Sequence, residues 1–277
     1  MGAQALGPND TPQDRAFQAT LHRAYTKFDL YYDHISTGDW SMADSLFSLN
    51  AGAKICVTIS GTTSNNISNA VAAVIARYTN AIYSIAAQNE PEDSFAGATN
   101  YARFFNQARG AIDASGWAAQ VKLAGPCLAN DNIPGFMAAI TNLIGGVTRI
   151  GVIDAHDYFA VPGNGGVPTN GAAYVHPADG CYHNGTGPNL GARLAELNRW
   201  QIMTGHTNVP AIVSEYGLYD SNVQDAIDAA RAFKTNNVAV VLSAPGGPVH
   251  SALPIGHCLP GRLWSKPMTE FLKEICR

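Results

Sequence analysis

Two apolar runs in this chain end in glutamate. Ile85-Ala86-Ala87 leads into Gln88-Asn89-Glu90-Pro91, and Ala211-Ile212-Val213 leads into Ser214-Glu215-Tyr216-Gly217. A carboxylate at the mouth of a buried strand is costly to desolvate, so its presence there calls for a use. Two such groups can divide the work of cleaving a glycosidic bond, one protonating the leaving oxygen while the other, ionised, attacks carbon or activates water. A carboxyl separation of about 5–5.5 Å permits retention of configuration, and about 6.5–9.5 Å leaves room for an inverting water. Side chains two apart on a strand share a face. Strict alternation therefore places Glu90 with Gln88, Ala86 and Ser84, Glu215 with Val213, and Asp154 with His156 and Tyr158 on a third strand.

The elements that would hold these groups alternate along the chain. A first strand is expected near 3–6 and a helix from Thr11-Pro12, with Phe17, Leu21 and Tyr25 at four-residue spacing. Strands follow at 28–35, 53–60, 81–89, 120–124 (stopped by Gly125-Pro126), 149–156, 210–215 and 238–243. Helices fall between them at 42–49, 67–78, the segment bearing Tyr101, Phe104, Phe105, Ala108 and Ile112, then 136–144, 190–203 and 223–234, with 267–275 closing the chain. Long loops are expected at 162–188 and from the last strand to Trp264. Near-continuous apolar strands alternating with amphipathic helices indicate a parallel sheet covered by helices. Eight units favour closure into a (β/α)8 barrel, which at 277 residues is expected as a single domain spanning 1–277. Barrel enzymes build their sites at strand C-terminal ends, where all these polar groups are expected. A doubly wound sheet is the alternative, but neither GxGxxG after a strand, nor GxxxxGK[ST], nor a GxSxG elbow occurs.

Composition narrows the partners. A net charge of −4 with 14% charged residues offers no basic surface for nucleic acid or anionic membrane. No stretch approaches the roughly 18 apolar residues of a spanning helix, and 1–10 has neither a basic start nor an apolar middle. Low charge and abundant Asn, Thr, Ser and Gly suggest a secreted, carbohydrate-active protein. The five cysteines lack CxxC spacing, and His183, His206, His250 and His257 lack ligand spacing, so no metal is assigned. In a barrel, Cys127, Cys181 and Cys258 would lie in loops on the strand C-terminal face. One disulfide among them, foremost Cys127 with Cys181, is weighed against five reduced thiols.

Taken in order, these motifs resemble clan A glycoside hydrolases, retaining (β/α)8 enzymes in which Asn-Glu ends the fourth strand and Glu ends the seventh. Asn89-Glu90-Pro91 and Ser214-Glu215-Tyr216-Gly217 match those two elements. His156-Asp157-Tyr158 is similar to the His-x-Tyr after the sixth strand, and Leu123-Ala124-Gly125-Pro126 to the fifth-strand ending of family 39-like members. The resemblance implies Glu90 as general acid/base and Glu215 as nucleophile, with Asn89 contacting the sugar 2-hydroxyl. It implies His156 and Tyr158 as groups that bind substrate or hold a carboxylate. Two features depart from the family. The eighth strand ends Ser243-Ala244-Pro245, where many members present a tryptophan, leaving Trp264 or Trp40 as substitutes. The arginine common near the early strands is absent, and His34, beside Asp33, is the obvious polar replacement. Asp154, one pleat deeper than His156, is read as structural.

The expected protein is thus a monomeric, cofactor-free retaining β-glycoside hydrolase, endo-acting on a polysaccharide by double displacement. An exo-acting β-glycosidase, or a non-catalytic carbohydrate-binding barrel that keeps the carboxylates, is the alternative. A metal-dependent barrel hydrolase is disfavoured by the scattered ligand types.

Overall fold

The computed structural model describes residues 12, 25–61, 65–91, 97–128, 139–140, 142–146, 149–160, 173–175, 182–184, 211–219, 231 and 238–240; for 128, 155–160, 173–175, 182–184, 211, 213–219 and 238–240 it describes the backbone alone. The first strand expected near 3–6, the helices at 190–203 and 267–275, and Trp264 lie outside these residues.

The described elements run β1 (Tyr25–Tyr31), α1 (Tyr32–Thr37), α2 (Ser41–Leu49), β2 (Lys54–Ser60), α3 (Ser68–Tyr78), β3 (Ile82–Ala87), α4 (Ala98–Ala114), β4 (Lys122–Leu128), β5 (Val152–Ala160), β6 (Ala173–Val175), β7 (Tyr182–Asn184), β8 (Ala211–Tyr219) and β9 (Val238–Val240). Each of β1-β2-β3-β4-β5-β8-β9 is parallel to the next. The order rises steadily along the chain. A doubly wound sheet reverses direction at a switch point; the steady order is that of an α/β barrel, and the chain has the (β/α)8 TIM-barrel fold.

The two faces of the strands divide the core. Outside, Phe28 and Leu30 of β1 and Ile55, Val57 and Ile59 of β2 are buried. Phe28 meets Phe47 of α2 edge-on, and Phe47 stacks on Tyr78 of α3 at 3.7 Å between ring centroids. On α4 the expected stripe of Tyr101, Phe104, Phe105, Ala108 and Ile112 is buried throughout. Inside, small side chains fit the narrowing barrel: Cys56, Ala86, Ala124, Cys127, Val152 and Ile212 form one cluster against Tyr25 and Tyr83.

Four expectations are corrected. The strand expected at 28–35 runs instead from Tyr25 to Tyr31, so Tyr25, expected on the preceding helix, opens it, and Asp33 and His34 stand on α1. Asp33 in the first turn favours a helix start, and Gly38, at φ 77°, ends α1 with its N–H donating to the His34 and Ile35 carbonyls. Gly125-Pro126 does not stop β4, which runs on to Leu128. A register shift between Gly125 and Leu128 accommodates the proline's missing N–H. Cys127 therefore lies inside the barrel rather than in a loop, and it is a free thiol, which removes the expected bond to Cys181. Finally, the expected loop 162–188 contains the antiparallel pair β6–β7. β7 joins β5 at Phe159, beyond the point at which β4 leaves off at Ala155.

The interior has a consequence for pH. Burial pushes the Cys56 thiol up to about 12, raises Cys127 well above the usual thiol range with help from the Asp154 charge, and pushes Tyr83 up to about 12. In the unfolded chain these groups lose their protons at lower pH, so that state binds fewer protons above pH ~9 and stability must fall there. Thermal melts are expected to drop between pH 8 and pH 10.5. Iodoacetamide at pH 8 is expected to leave Cys56 and Cys127 unmodified in the native protein and to alkylate both after denaturation, as mass spectrometry would show.

Candidate active site

The mouth of β3 is where backbone and chemistry meet. After Ala87 the chain leaves regular strand geometry: Gln88 has φ 76° and Glu90 φ 44°. Neither is glycine, and each such residue costs on the order of 1–3 kcal/mol, a strain that clusters at functional sites. The conformation is held from both sides. Gln88 donates its N–H to the Ile59 carbonyl and accepts the Gly61 N–H on its side-chain oxygen, both at 3.0 Å. Asn89 bridges to Cys127 of β4, and the Glu90 N–H donates to the Cys127 carbonyl at 2.9 Å. The alternation expected from Ser84 through Glu90 is thereby broken. Gln88 is buried against the β2 end, whereas Asn89 and Glu90 are both half-buried at the mouth.

Asn89, rather than Gln88, reaches into the barrel. Its side-chain oxygen accepts a hydrogen bond from Lys27 Nζ at 3.3 Å. The Lys27 side chain is 1% exposed and stands 3.9 Å from Asp29 Oδ1 on the same strand. Below them, Cys127 Sγ donates to Asp154 Oδ2 at 3.1 Å. Asp154 is itself 3% exposed, which agrees with a structural role for that residue. Sequence reading missed Lys27 and Asp29. The signal was present: Tyr25, Lys27, Asp29 and Tyr31 alternate with Thr26, Phe28 and Leu30, two charges within an otherwise uncharged strand.

Glu215 lies within β8, not at its end, since the strand continues to Tyr219; β5 likewise runs past His156 to Ala160. Register pairs Asp154 with Ile212, Ala155 with Val213, and then His156 with Glu215 and Tyr158 with Gly217. The extra residue, Ser214, breaks the alternation expected from Val213 and brings Glu215 level with His156. The structure thus places Glu215, His156 and Tyr158 on adjacent strands. Glu90 follows the C-terminal end of β3, and Glu215 lies within β8 of the same sheet.

Two other candidates follow β1. His34 is exposed on α1, with Nδ1 3.3 Å from Asp39 Oδ2. Trp40, before α2, lies 5.2 Å under the Arg77 guanidinium and edge-on to Tyr78 at 6.0 Å. Arg77 and Tyr78 end α3, just before β3 begins at Ile82. Trp40 is therefore near the strand N-terminal ends, the opposite end of β3 from Glu90, and it covers an Arg77–Asp44 ion pair of 2.7 Å. Among the described residues no group of three or more His, Cys, Asp or Glu side chains could hold a metal ion.

No family model and no curated protein sequence matches the chain. Solved structures do. A glucosidase from Croceicoccus marinus superposes with a TM-score of 0.63 at 13% identity over 88% of this chain, which spans 59% of the glucosidase's length. Fungal β-1,4-galactanases give 0.57 at 11% identity, covering 90% of this chain and 86% of theirs. The catalytic domain of a Bacillus sp. JAMB-750 GH26 endo-β-1,4-mannanase gives 0.55 at 12% identity, covering 99% and 84%. Identities this low carry the fold alone: the chain shares its barrel with glycoside hydrolases.

Proposed function

We propose that the protein is a retaining glycoside hydrolase that cleaves β-glycosidic bonds by double displacement, endo-acting on a polysaccharide. Glu90 acts as general acid/base and Glu215 as nucleophile. Asn89 hydrogen-bonds the sugar 2-hydroxyl, and His156 and Tyr158 bind substrate or hold a carboxylate. The observation that carries this reading is the Asn89-Glu90 pair at the mouth of β3, set by left-handed backbone at Gln88 and Glu90 and tied to Cys127, with Glu215 on β8 of the same sheet. An Asn beside a catalytic carboxyl suits this chemistry, because its contact to the 2-hydroxyl strengthens as the oxocarbenium-like transition state forms. The glucosidase, galactanase and mannanase names of the similar structures agree with a carbohydrate substrate.

The test is a panel of β-glucans, mannans, xylans, galactans and uronic-acid polymers, with the first-formed anomer followed by proton NMR. Release of β-configured reducing ends is expected. A first-formed α anomer would rule out double displacement, and glycan binding without turnover across the panel would favour a non-catalytic barrel.

A further inference from the structure

We propose that Lys27 is a positioning residue for Asn89, fixing which edge of that amide the substrate meets. The inference rests on the reading of Asn89 and Glu90 as part of a glycosidase site. An ammonium group only donates hydrogen bonds, whereas an asparagine amide has one accepting edge and one donating edge. With Lys27 Nζ 3.3 Å from Asn89 Oδ1, the oxygen edge of Asn89 is committed to the barrel interior. Turning the amide over would set its N–H2 group against the ammonium. Asn89 therefore meets the cleft as a donor, and the group it recognises must accept: an oxygen of the sugar, or a carboxylate oxygen beside it.

The cost of the arrangement supports its use. The Lys27 side chain is 1% exposed and lies on a strand whose other face is filled by Phe28 and Leu30. Burying an ammonium is expensive, and an apolar side chain of similar volume often serves stability as well or better. Asp29 offsets part of the charge at 3.9 Å. The hydrogen bond joins residues 62 apart in sequence, tying the interior of β1 to the residue next to the proposed acid/base.

The test compares wild type, Lys27→Met, Asn89→Ala and the double variant on an aryl β-glycoside that wild type hydrolyses and on its 2-deoxy analogue. Lys27→Met is expected to lower kcat by about ten- to a hundredfold with a smaller change in KM, as for a misplaced transition-state contact. The double variant should be no slower than Asn89→Ala, and the Lys27→Met loss should shrink on the 2-deoxy substrate. Additive losses, or an equal loss on both substrates, would overturn the proposal while leaving the glycosidase reading intact. A wild type that turns over no glycoside overturns both. Should Lys27→Met fail to fold, Lys27→Arg, which keeps the charge but displaces the donor, carries the same comparison with Asn89→Ala.

Discussion

Glu90→Gln and Glu215→Gln are each expected to remove nearly all hydrolysis, a fall in kcat of about 10²–10⁴-fold or more, with the fold intact. The two losses should differ in kind. Without a proton donor at residue 90, departure of a poor leaving group is slowed most, so an activated aryl glycoside such as a dinitrophenyl glycoside should recover much of the first step. Without a nucleophile at residue 215, no leaving group helps. Structural damage is expected to be small at residue 90, because Cys127 holds it through the Glu90 backbone N–H, which Gln keeps. Circular dichroism and thermal melts would check this. Full activity in either variant would sink the assignment of that carboxylate.

The second large effect is on stability. Gly125→Ala is expected to destabilise the protein by about 2–4 kcal/mol, combining an overpacking cost with a backbone better suited to glycine. Gly125 lies on β4 at φ 153°, and a Cβ there would run into the Tyr101 hydroxyl. Tyr101 is 1% exposed and wedged on α4 beside Phe105, so it cannot swing out as a surface tyrosine would. Urea or thermal unfolding would measure the loss, and Tyr101→Phe in the same background should recover part of it by removing the clashing oxygen. Since Gly125 lies two residues before Cys127, which anchors Glu90, activity in Gly125→Ala should fall further than the folded fraction alone predicts. Stability equal to wild type would show that the close approach of α4 to β4 has been misread.

Much of this architecture was legible in the chain. The stripe of Tyr101, Phe104, Phe105, Ala108 and Ile112 and the apolar runs of β2 and β3 follow from periods of 3.6 and 2 read directly from residue type. What alternation could not show were the places where the backbone departs from it: left-handed Gln88 and Glu90, the extra residue at Ser214 in β8, and the shifted register that carries β4 past Pro126. These irregularities lie beside the proposed catalytic residues, where local pattern gives way to contacts from other strands. Cys127 was misplaced for the same reason, because Gly-Pro is an ordinary strand stop unless the neighbouring strands adjust. Trp40 was legible only as an aromatic in a loop; that it serves Arg77 and Tyr78 depends on how α2 crosses α3. Lys27 lies just before the expected strand start at Phe28, and only the observed start at Tyr25 puts it inside β1, on the face that alternates with Phe28 and Leu30.

The most direct test of the paired-carboxylate account is to trap its covalent intermediate. A 2-deoxy-2-fluoro β-glycoside of whichever sugar wild type releases, carrying a good leaving group, should inactivate the enzyme. Peptide mass spectrometry should then find one fluoro-sugar on the peptide containing Glu215, with Glu90 unmodified and Glu215→Gln unlabelled. A label carried by any other residue would contradict the assignment, as would labelling that persists in Glu215→Gln.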